Sequence, residues 1–223
     1  DITNADISEI VIRQMQEKYG SDYPEMKWVQ MDLTASSFDE GQFSCILDKG
    51  TLDALMTDSS PEVVSLIDKY FTELSRVLRV GGRYVCVSLL QEHIIAYVVS
   101  WFTQKCWMIR VCRCEDAEQA KTESGEFSFP VFVIVCTKFK QMPNFKPVME
   151  MQLQGEKIQR IENKEEILKN VRELQQYALL RHNLLTKLGE HEWMYGTADG
   201  KDKLAENASS SRLLIIHLCR NQT

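Results

Sequence analysis

Asp6, Asp32 and Asp48 each stand directly after a segment that is predicted to be a β-strand or the tail of one. In an open parallel sheet, ligands bind outside the carboxyl ends of the strands, so these three side chains would line one cleft. A carboxylate can accept hydrogen bonds from both hydroxyls of a ribose, and a second acid one strand away could reach an adenine amino group. The pattern therefore predicts a nucleotide-type cofactor site. The alternative is that each Asp is only a cap or turn residue.

The elements that would hold these side chains are predicted from hydrophobic periodicity and capping signals. Three strands are expected at Ile2–Ala5, Lys27–Met31 and Gln42–Leu47. Between the first two, Ser8 is expected to cap a helix that ends near Gly20. Another helix is expected to begin at Ser60-Pro61-Glu62, because serine caps, proline fits the first turn and the acid faces the positive end of the dipole. Gly81-Gly82 is expected to end it.

The following region predicts a reversal of strand direction. A strand over Arg83–Leu89 leads into an amphipathic helix with apolar residues at Ile94, Tyr97, Val98, Trp101 and Phe102. Next, Trp107–Cys114 and Phe129–Phe139 are predicted as two strands joined by a polar loop without helical periodicity. This indicates antiparallel pairing at one edge of the sheet. The expected fold class is therefore α/β, with helices on both faces of one sheet.

Composition shifts predict three regions along the chain. Residues 1–140 would form one partial domain, and 141–162 would be a proline-containing linker. Residues 163–223 would form a helical and strand segment, because Asn163-Lys164-Glu165-Glu166 has the spacing of a capping box and Arg212–Leu218 is a short apolar run.

The overall composition fits a folded protein of a reducing compartment. The 223 residues are 44% hydrophobic and carry a net charge of -6, which argues against a surface that coats nucleic acid. All cysteines except Cys219 lie mostly in apolar runs, which indicates thiols used as small hydrophobic side chains and predicts a cytoplasmic location. No metal is expected, because Cys112 and Cys114 lack further zinc ligands nearby. No run approaches the length of a membrane span.

Five segments together resemble the seven-strand S-adenosylmethionine-dependent methyltransferases: NADISEIVIRQM, MDLT, LDKGTLDAL, RVLRVGGRYVCVSL and FPVFVIVCTKF. Within that family, they resemble protein-lysine methyltransferases that act on translation elongation factor 1-alpha. The resemblance covers about residues 1–140. The segment Asp48–Asp53 carries the most weight, because it is found in a limited group of protein-lysine methyltransferases. The resemblance implies a Rossmann-like sheet with a terminal antiparallel strand pair, and S-adenosylmethionine as cofactor.

The resemblance also implies which residues bind the cofactor. Asp6 would hold the ribose hydroxyls and Ile7 would pack against the adenine. Asp32 and Leu33 would border the adenine from the next strand, and Asp48 would face the methionine half.

The same resemblance implies a substrate side of the site. Asp48 is the tentative catalytic residue, and Lys49, Gly50, Thr51 and His93 would face the incoming amine. Alternatives stay open for three of these positions. Asp48 and Thr51 could only brace the turn, Lys49 could be a solvated surface residue, and His93 could be a loop or helix-start residue.

The chain begins with DITNADIS, without an initiator Met or a signal sequence, so we expect it to start within a larger protein. The family's first strand and glycine-rich loop have no counterpart here, and that strand would lie at the centre of the sheet. We therefore expect this chain alone to fold poorly or to bind cofactor weakly. Around residues 188–192 the chain is shorter than the family, through either isoform or lineage variation.

Other functions compete with a methyltransferase that acts on a protein substrate. A small-molecule methyltransferase would have the same cofactor half, and a non-catalytic scaffold could keep the same fold. A nicotinamide dehydrogenase would also place an acid at Asp6, but it explains neither Asp48–Asp53 nor the antiparallel pair. No nucleic-acid or membrane partner is expected.

Overall fold

The computed structural model describes residues 2–122, 129–140, 146–153, 155 and 157–192. Within these residues the chain forms eight strands and six helices. The strands are β1 (Thr3–Asp6), β2 (Lys27–Gln30), β3 (Phe43–Lys49), β4 (Leu78–Ser88), β5 (Met108–Arg113), β6 (Phe132–Thr137), β7 (Met149–Gln152) and β8 (Gln159–Ile161). The helices are α1 (Glu9–Tyr19), α2 (Thr51–Leu55), α3 (Pro61–Val77), α4 (Glu92–Gln104), α5 (Glu115–Thr122) and α6 (Lys164–Glu192).

The fold is α/β as predicted, but the described strands form two sheets where one was expected. β1 and β2 form a parallel pair, and the other six strands have the order β3-β4-β6-β5-β7-β8. β3 and β4 run parallel, whereas β6 is antiparallel to both β4 and β5. The predicted antiparallel strand pair is therefore present. In this arrangement β6 lies between β4 and β5, although it follows both in sequence.

Helix α3 begins where its capping signals predict. The Ser60 hydroxyl accepts a hydrogen bond from the Val63 amide at 3.4 Å, and Pro61 and Glu62 occupy the first turn. Its buried face carries Ile67, Tyr70, Phe71, Leu74 and Val77.

The prediction that Gly81-Gly82 ends α3 was wrong, because the helix ends at Val77 and both glycines lie inside β4. A Cβ on Gly82 would lie 2.8 Å from the Leu78 side chain and from the Arg79 carbonyl oxygen. Gly81 has a φ of +80°, and its amide donates to the Lys138 carbonyl at 2.8 Å. The glycines therefore permit close packing within a strand rather than a helix stop.

Two further segments differ from the prediction. The loop expected after β5 contains α5, whose first turn carries Glu115, Asp116 and Glu118 at the positive end of the helix dipole. Arg113 fastens this helix to β5 through a 2.7 Å ion pair with Glu118. The described part of 141–162 contains β7 and β8, which extend the main sheet. The division into three regions stays a prediction, and the strand expected at 212–218 lies outside the described residues.

The core lies between the main sheet and helices α3 and α4. Phe71 of α3 is at its centre, with ring contacts to Tyr70, Tyr84, Tyr97, Trp101 and Phe102. The first half of α6 joins the same core through Ile167 and Val171, which are fully or almost fully buried. Among the described residues, no helix combines the length and the apolar character needed to cross a bilayer.

A charged cluster on α3 holds the loop between β2 and β3. Glu73 accepts hydrogen bonds from the Ser36 amide at 3.0 Å and from the Ser36 hydroxyl at 2.5 Å. Arg76 forms an ion pair with Glu73 at 2.6 Å and donates to the Phe38 carbonyl at 2.7 Å. The hydrogen bond from Arg76 is the main reason that the pKa of Glu73 falls from 4.5 to about 2. The loop is therefore fastened to the helix by an ionised carboxylate.

This cluster predicts a pH-dependent contribution to stability. Because the folded state lowers the pKa of Glu73, its contribution is present above pH 4.5 and is lost as the pH falls towards 2. We expect Glu73→Gln to lower the unfolding free energy measured in urea at neutral pH. The difference from the wild type should shrink steadily in acid. Glu25→Gln, at an exposed turn outside this cluster, is the control. A Glu73→Gln effect of constant size across this pH range would contradict the prediction.

Candidate active site

A cavity of about 420 Å³ lies between β1 and β3, which belong to different sheets. Its walls come from these two strands, from the loop after β2 and from α3. The lining includes Asn4, Ala5, Leu33, Phe43, Leu47, Asp48, Lys49, Thr51, Tyr70 and Leu74. Within the described part of the chain, no strand pairs with the facing edges of β1 and β3. The cavity lining is therefore mostly apolar, and the backbone edges of β1 and β3 bound it on two sides.

Asp6 and Asp32 lie at the carboxyl ends of the adjacent parallel strands β1 and β2. Oδ1 of Asp6 accepts from the Ser8 amide at 2.7 Å. Oδ1 of Asp32 accepts from the Thr34 amide at 2.8 Å and from its hydroxyl at 2.7 Å, and these bonds lower the pKa of Asp32. Oδ2 of each aspartate has no hydrogen bond within residues 2–192 as described. Each carboxylate therefore combines a turn-capping role with an oxygen open to a ligand.

Two apolar side chains accompany these carboxylates. Ile7 is 69% exposed beside the end of β1, and its carbonyl accepts from the Gln30 side chain at 3.2 Å. Leu33 is half-buried and lines the cavity. The structure therefore brings together all four residues predicted to border the adenosine half, Asp6, Ile7, Asp32 and Leu33. Their contact with a cofactor stays a prediction.

Asp48 lies in a different environment, because only 2% of the residue is exposed. Oδ1 accepts from the Thr51 amide at 2.9 Å and from the Leu52 amide at 3.4 Å. Oδ2 accepts from the hydroxyls of Tyr70 at 2.8 Å and Tyr84 at 2.7 Å. Burial raises the pKa of Asp48, and the four hydrogen bonds oppose that rise. This geometry favours the alternative in which Asp48 braces the turn, and a catalytic role stays a prediction.

The residues after Asp48 lead into α2 at the edge of the cavity. Gly50 adopts the left-handed conformation at φ +82°, which glycine tolerates without a Cβ clash. Its amide donates to the Val87 carbonyl at 3.3 Å. Lys49 and Thr51 line the cavity. Lys49 and Thr51, two of the predicted substrate-facing residues, therefore lie at the rim of the cavity, with Gly50 between them.

His93 has a defined partner at the other end of α2. Its Nε2 lies 2.8 Å from the Met56 carbonyl oxygen, and Nε2 must donate because a carbonyl only accepts. This contact matches the alternative of a helix-start residue that supports local structure, and its role towards substrate stays a prediction.

Asp53 in α2 is a second carboxylate near the carboxyl ends of β3 and β4. Its Oδ1 accepts from the Ser88 hydroxyl at 2.9 Å and from the Leu89 amide at 3.3 Å, so it joins α2 to the end of β4. Burial and the nearby Asp48 charge raise the pKa of Asp53. The hydrogen bonds from Ser88 to Asp53 and from Tyr70 and Tyr84 to Asp48 were not predicted, because the partners lie 22 to 36 residues apart in sequence. Among the described residues, no group of three or more possible metal ligands is present.

The Asp48 geometry predicts a measurable loss of stability. We expect Tyr70→Phe and Tyr84→Phe each to lower the unfolding free energy by about 1–3 kcal/mol, because each removes a hydrogen bond to a buried carboxylate. Asp48→Asn should cost at least as much, and Tyr23→Phe on the surface is the control. The double tyrosine variant should depart from additivity, since both hydroxyls bind one oxygen. Unchanged urea unfolding of Asp48→Asn would contradict a bracing role.

Comparisons with known proteins agree with the resemblance. Residues 1–86 match a family model described as a methyltransferase domain. An eEF1A lysine and N-terminal methyltransferase homolog from Drosophila pseudoobscura pseudoobscura is 36% identical over all of this chain and 40% of its own length. The eEF1A lysine and N-terminal methyltransferases of Xenopus laevis and Homo sapiens are 35% and 34% identical, each over 39% of its length.

A comparison with solved structures gives partial alignments. An S-adenosylmethionine-dependent methyltransferase from Methanosarcina mazei aligns with a TM-score of 0.45 and 16% identity, over 62% of this chain and 82% of that chain. The chain spans about two fifths of the length of the curated relatives that it matches. Residues 1–86 of this chain thus resemble a methyltransferase domain, and the whole chain is similar to part of the eEF1A lysine and N-terminal methyltransferases.

Proposed function

We propose that this chain provides cofactor and substrate contacts of an S-adenosylmethionine-dependent protein-lysine methyltransferase that acts on translation elongation factor 1-alpha. The observation that carries the proposal is the pair Asp6 and Asp32 at adjacent parallel strand ends, beside an apolar cavity. The names of the full-length relatives support the substrate. Most cysteines lie in apolar runs of the sequence, and this usage supports a cytoplasmic location, although only Cys86 and Cys136 are buried among the six described.

The residues present fit the adenosine half of the cofactor. Oδ2 of Asp6 can accept from ribose hydroxyls while Oδ1 keeps its bond to the Ser8 amide. The exposed Ile7 offers an apolar surface to the adenine, and Asp32 with Leu33 would border its other side. The cofactor supplies a methyl group on a positively charged sulfur.

The transfer itself requires a neutral amine more than a dedicated base. The bound cofactor would give this methyl group to the unprotonated nitrogen and leave as a neutral thioether, and the amine would first lose its proton to water. A lysine has a pKa near 10.4 in water, and desolvation by an apolar wall lowers that pKa. Asp48 already accepts from four donors, whereas the bonds from Ser88 and Leu89 to half-buried Asp53 both go to its Oδ1. In this proposal Asp48 lines the cavity and holds its rim, and Asp53 supports the neighbouring end of β4.

The cavity also supports the proposal that a strand and a glycine-rich loop complete the site between β1 and β3. The two facing edges leave backbone groups without a strand partner among the described residues, and such edges accept an added strand.

This proposal predicts weak cofactor binding by residues 1–223 alone. Calorimetric titration with S-adenosylmethionine should give a much weaker affinity for this chain than for the complete protein. A tight, stoichiometric binding curve for the isolated chain would contradict the prediction.

The activity is tested with the complete protein, radiolabelled S-adenosylmethionine and elongation factor 1-alpha. We expect label on a lysine of the factor. Asp6→Asn should weaken cofactor binding about tenfold or more, because a hydrogen bond to a charged group contributes ~1.5–3 kcal/mol. Asn keeps an oxygen for the Ser8 amide, so the turn is preserved. Asp22→Asn, at an exposed turn, is the matched control.

Two results would overturn the proposal. Label on a small metabolite but none on protein would indicate a small-molecule methyltransferase. No label and no cofactor binding by the complete protein would indicate a non-catalytic scaffold.

A further inference from the structure

The turn Ser88–Leu90 at the end of β4 has an unusual backbone. Leu90 has a φ of 49°, a left-handed conformation that L-residues with a side chain rarely adopt. Its side chain is fully buried, whereas Leu89 is 36% exposed. A strained residue of this kind persists only where its surroundings fix it in place, and such positions are concentrated at functional sites.

Side chains from three parts of the chain satisfy the backbone groups of this turn. The Leu90 amide donates to the Ser88 hydroxyl at 2.9 Å, and the Leu89 amide donates to Asp53 at 3.3 Å. Gln175 of α6 donates from Nε2 to the carbonyl oxygens of Leu89 at 2.9 Å and Leu90 at 2.8 Å. The amides and carbonyls of both leucines therefore have partners. Gln175 supplies both carbonyl contacts from 85 and 86 residues away.

Helix α6 is anchored well enough to hold Gln175 in position. Val171 and Ile167, one and two turns before Gln175 on the helix, are buried in the main core. Arg172 forms an ion pair with Glu92 in the first turn of α4, directly after the strained turn. The helix is therefore fixed to both the core and α4 where Gln175 reaches the turn.

The turn also belongs to the substrate side of the proposed site. Asp53 binds Ser88 and Leu89, and the Gly50 amide binds the Val87 carbonyl, so the ends of β3 and β4 are joined. We infer that Gln175 is a positioning residue, which holds the Leu89–Leu90 turn in its left-handed conformation so that Leu89 and Asp53 present a fixed surface to the protein substrate. This inference rests on the proposed function, and it makes α6 part of the substrate site.

The test compares Gln175→Ala with Gln176→Ala in the complete protein. Gln176 is the same residue type, one position along the helix, and is exposed. We expect Gln175→Ala to lower kcat/KM for elongation factor 1-alpha about tenfold, with cofactor affinity within about twofold of the wild type. Gln176→Ala should change neither quantity. Gln175→Lys, which keeps a donor on a long side chain, should restore part of the loss, and Gln175→Glu, which has no donor, should not.

Amide hydrogen exchange gives a readout that does not need activity. Exchange at Leu89 and Leu90 should speed up in Gln175→Ala and stay unchanged in Gln176→Ala, because loss of the carbonyl contacts loosens the turn. Wild-type exchange and normal catalysis in Gln175→Ala would overturn the inference. An inactive wild type would overturn the proposed function instead, and the exchange comparison would still decide whether Gln175 holds the turn.

Discussion

The buried carboxylate of Asp48 imposes the constraint on which the rest of this edge depends. A carboxylate removed from water must have its oxygens hydrogen-bonded, or the folded state bears a large desolvation cost. Four donors from α2, α3 and β4 meet this need. Their positions fix the end of β3 relative to a neighbouring strand and two helices. The rim of the cavity is therefore set by the solvation of one side chain in the core.

Asp53, five residues further along, shows how one short segment can hold two carboxylates in different roles. The left-handed Gly50 reverses the chain after β3, and the helical turn that follows directs Asp53 towards the end of β4. Asp48 faces inward to two tyrosines, whereas Asp53 remains only half-buried. The polar segment Asp48–Asp53 therefore contains one carboxylate that stabilises the turn and a second that lies near the proposed substrate side of the site.

Local signals predicted much of the fold, but they failed where distant residues decide the outcome. Capping at Ser60 and the apolar run that forms β6 are short-range patterns, and the structure follows them. The pattern around Gly81 and Gly82 was misleading, because packing against Leu78 and Lys138 keeps the glycines in a strand. The orientation of Asp48 could not be predicted from its motif, since the tyrosines that bind it lie on other elements. The positions of Asp6 and Asp32 at the ends of β1 and β2 were predictable, because each position depends only on the strand beside it in sequence.

The position of β6 affects how the protein is made as well as how it is built. β4 ends at Ser88, but its antiparallel neighbour begins at Phe132, and β5 reaches the sheet only through β6. On the ribosome, β3, β4, α3 and α4 therefore emerge with one flank of β4 unpaired until the later strand has been synthesised. That flank consists of the backbone groups of Arg83–Ser88, which pair with β6 in the folded protein. Between the synthesis of β4 and that of β6, this unpaired edge is open to pairing with other chains. The nascent chain needs protection from aggregation during that interval.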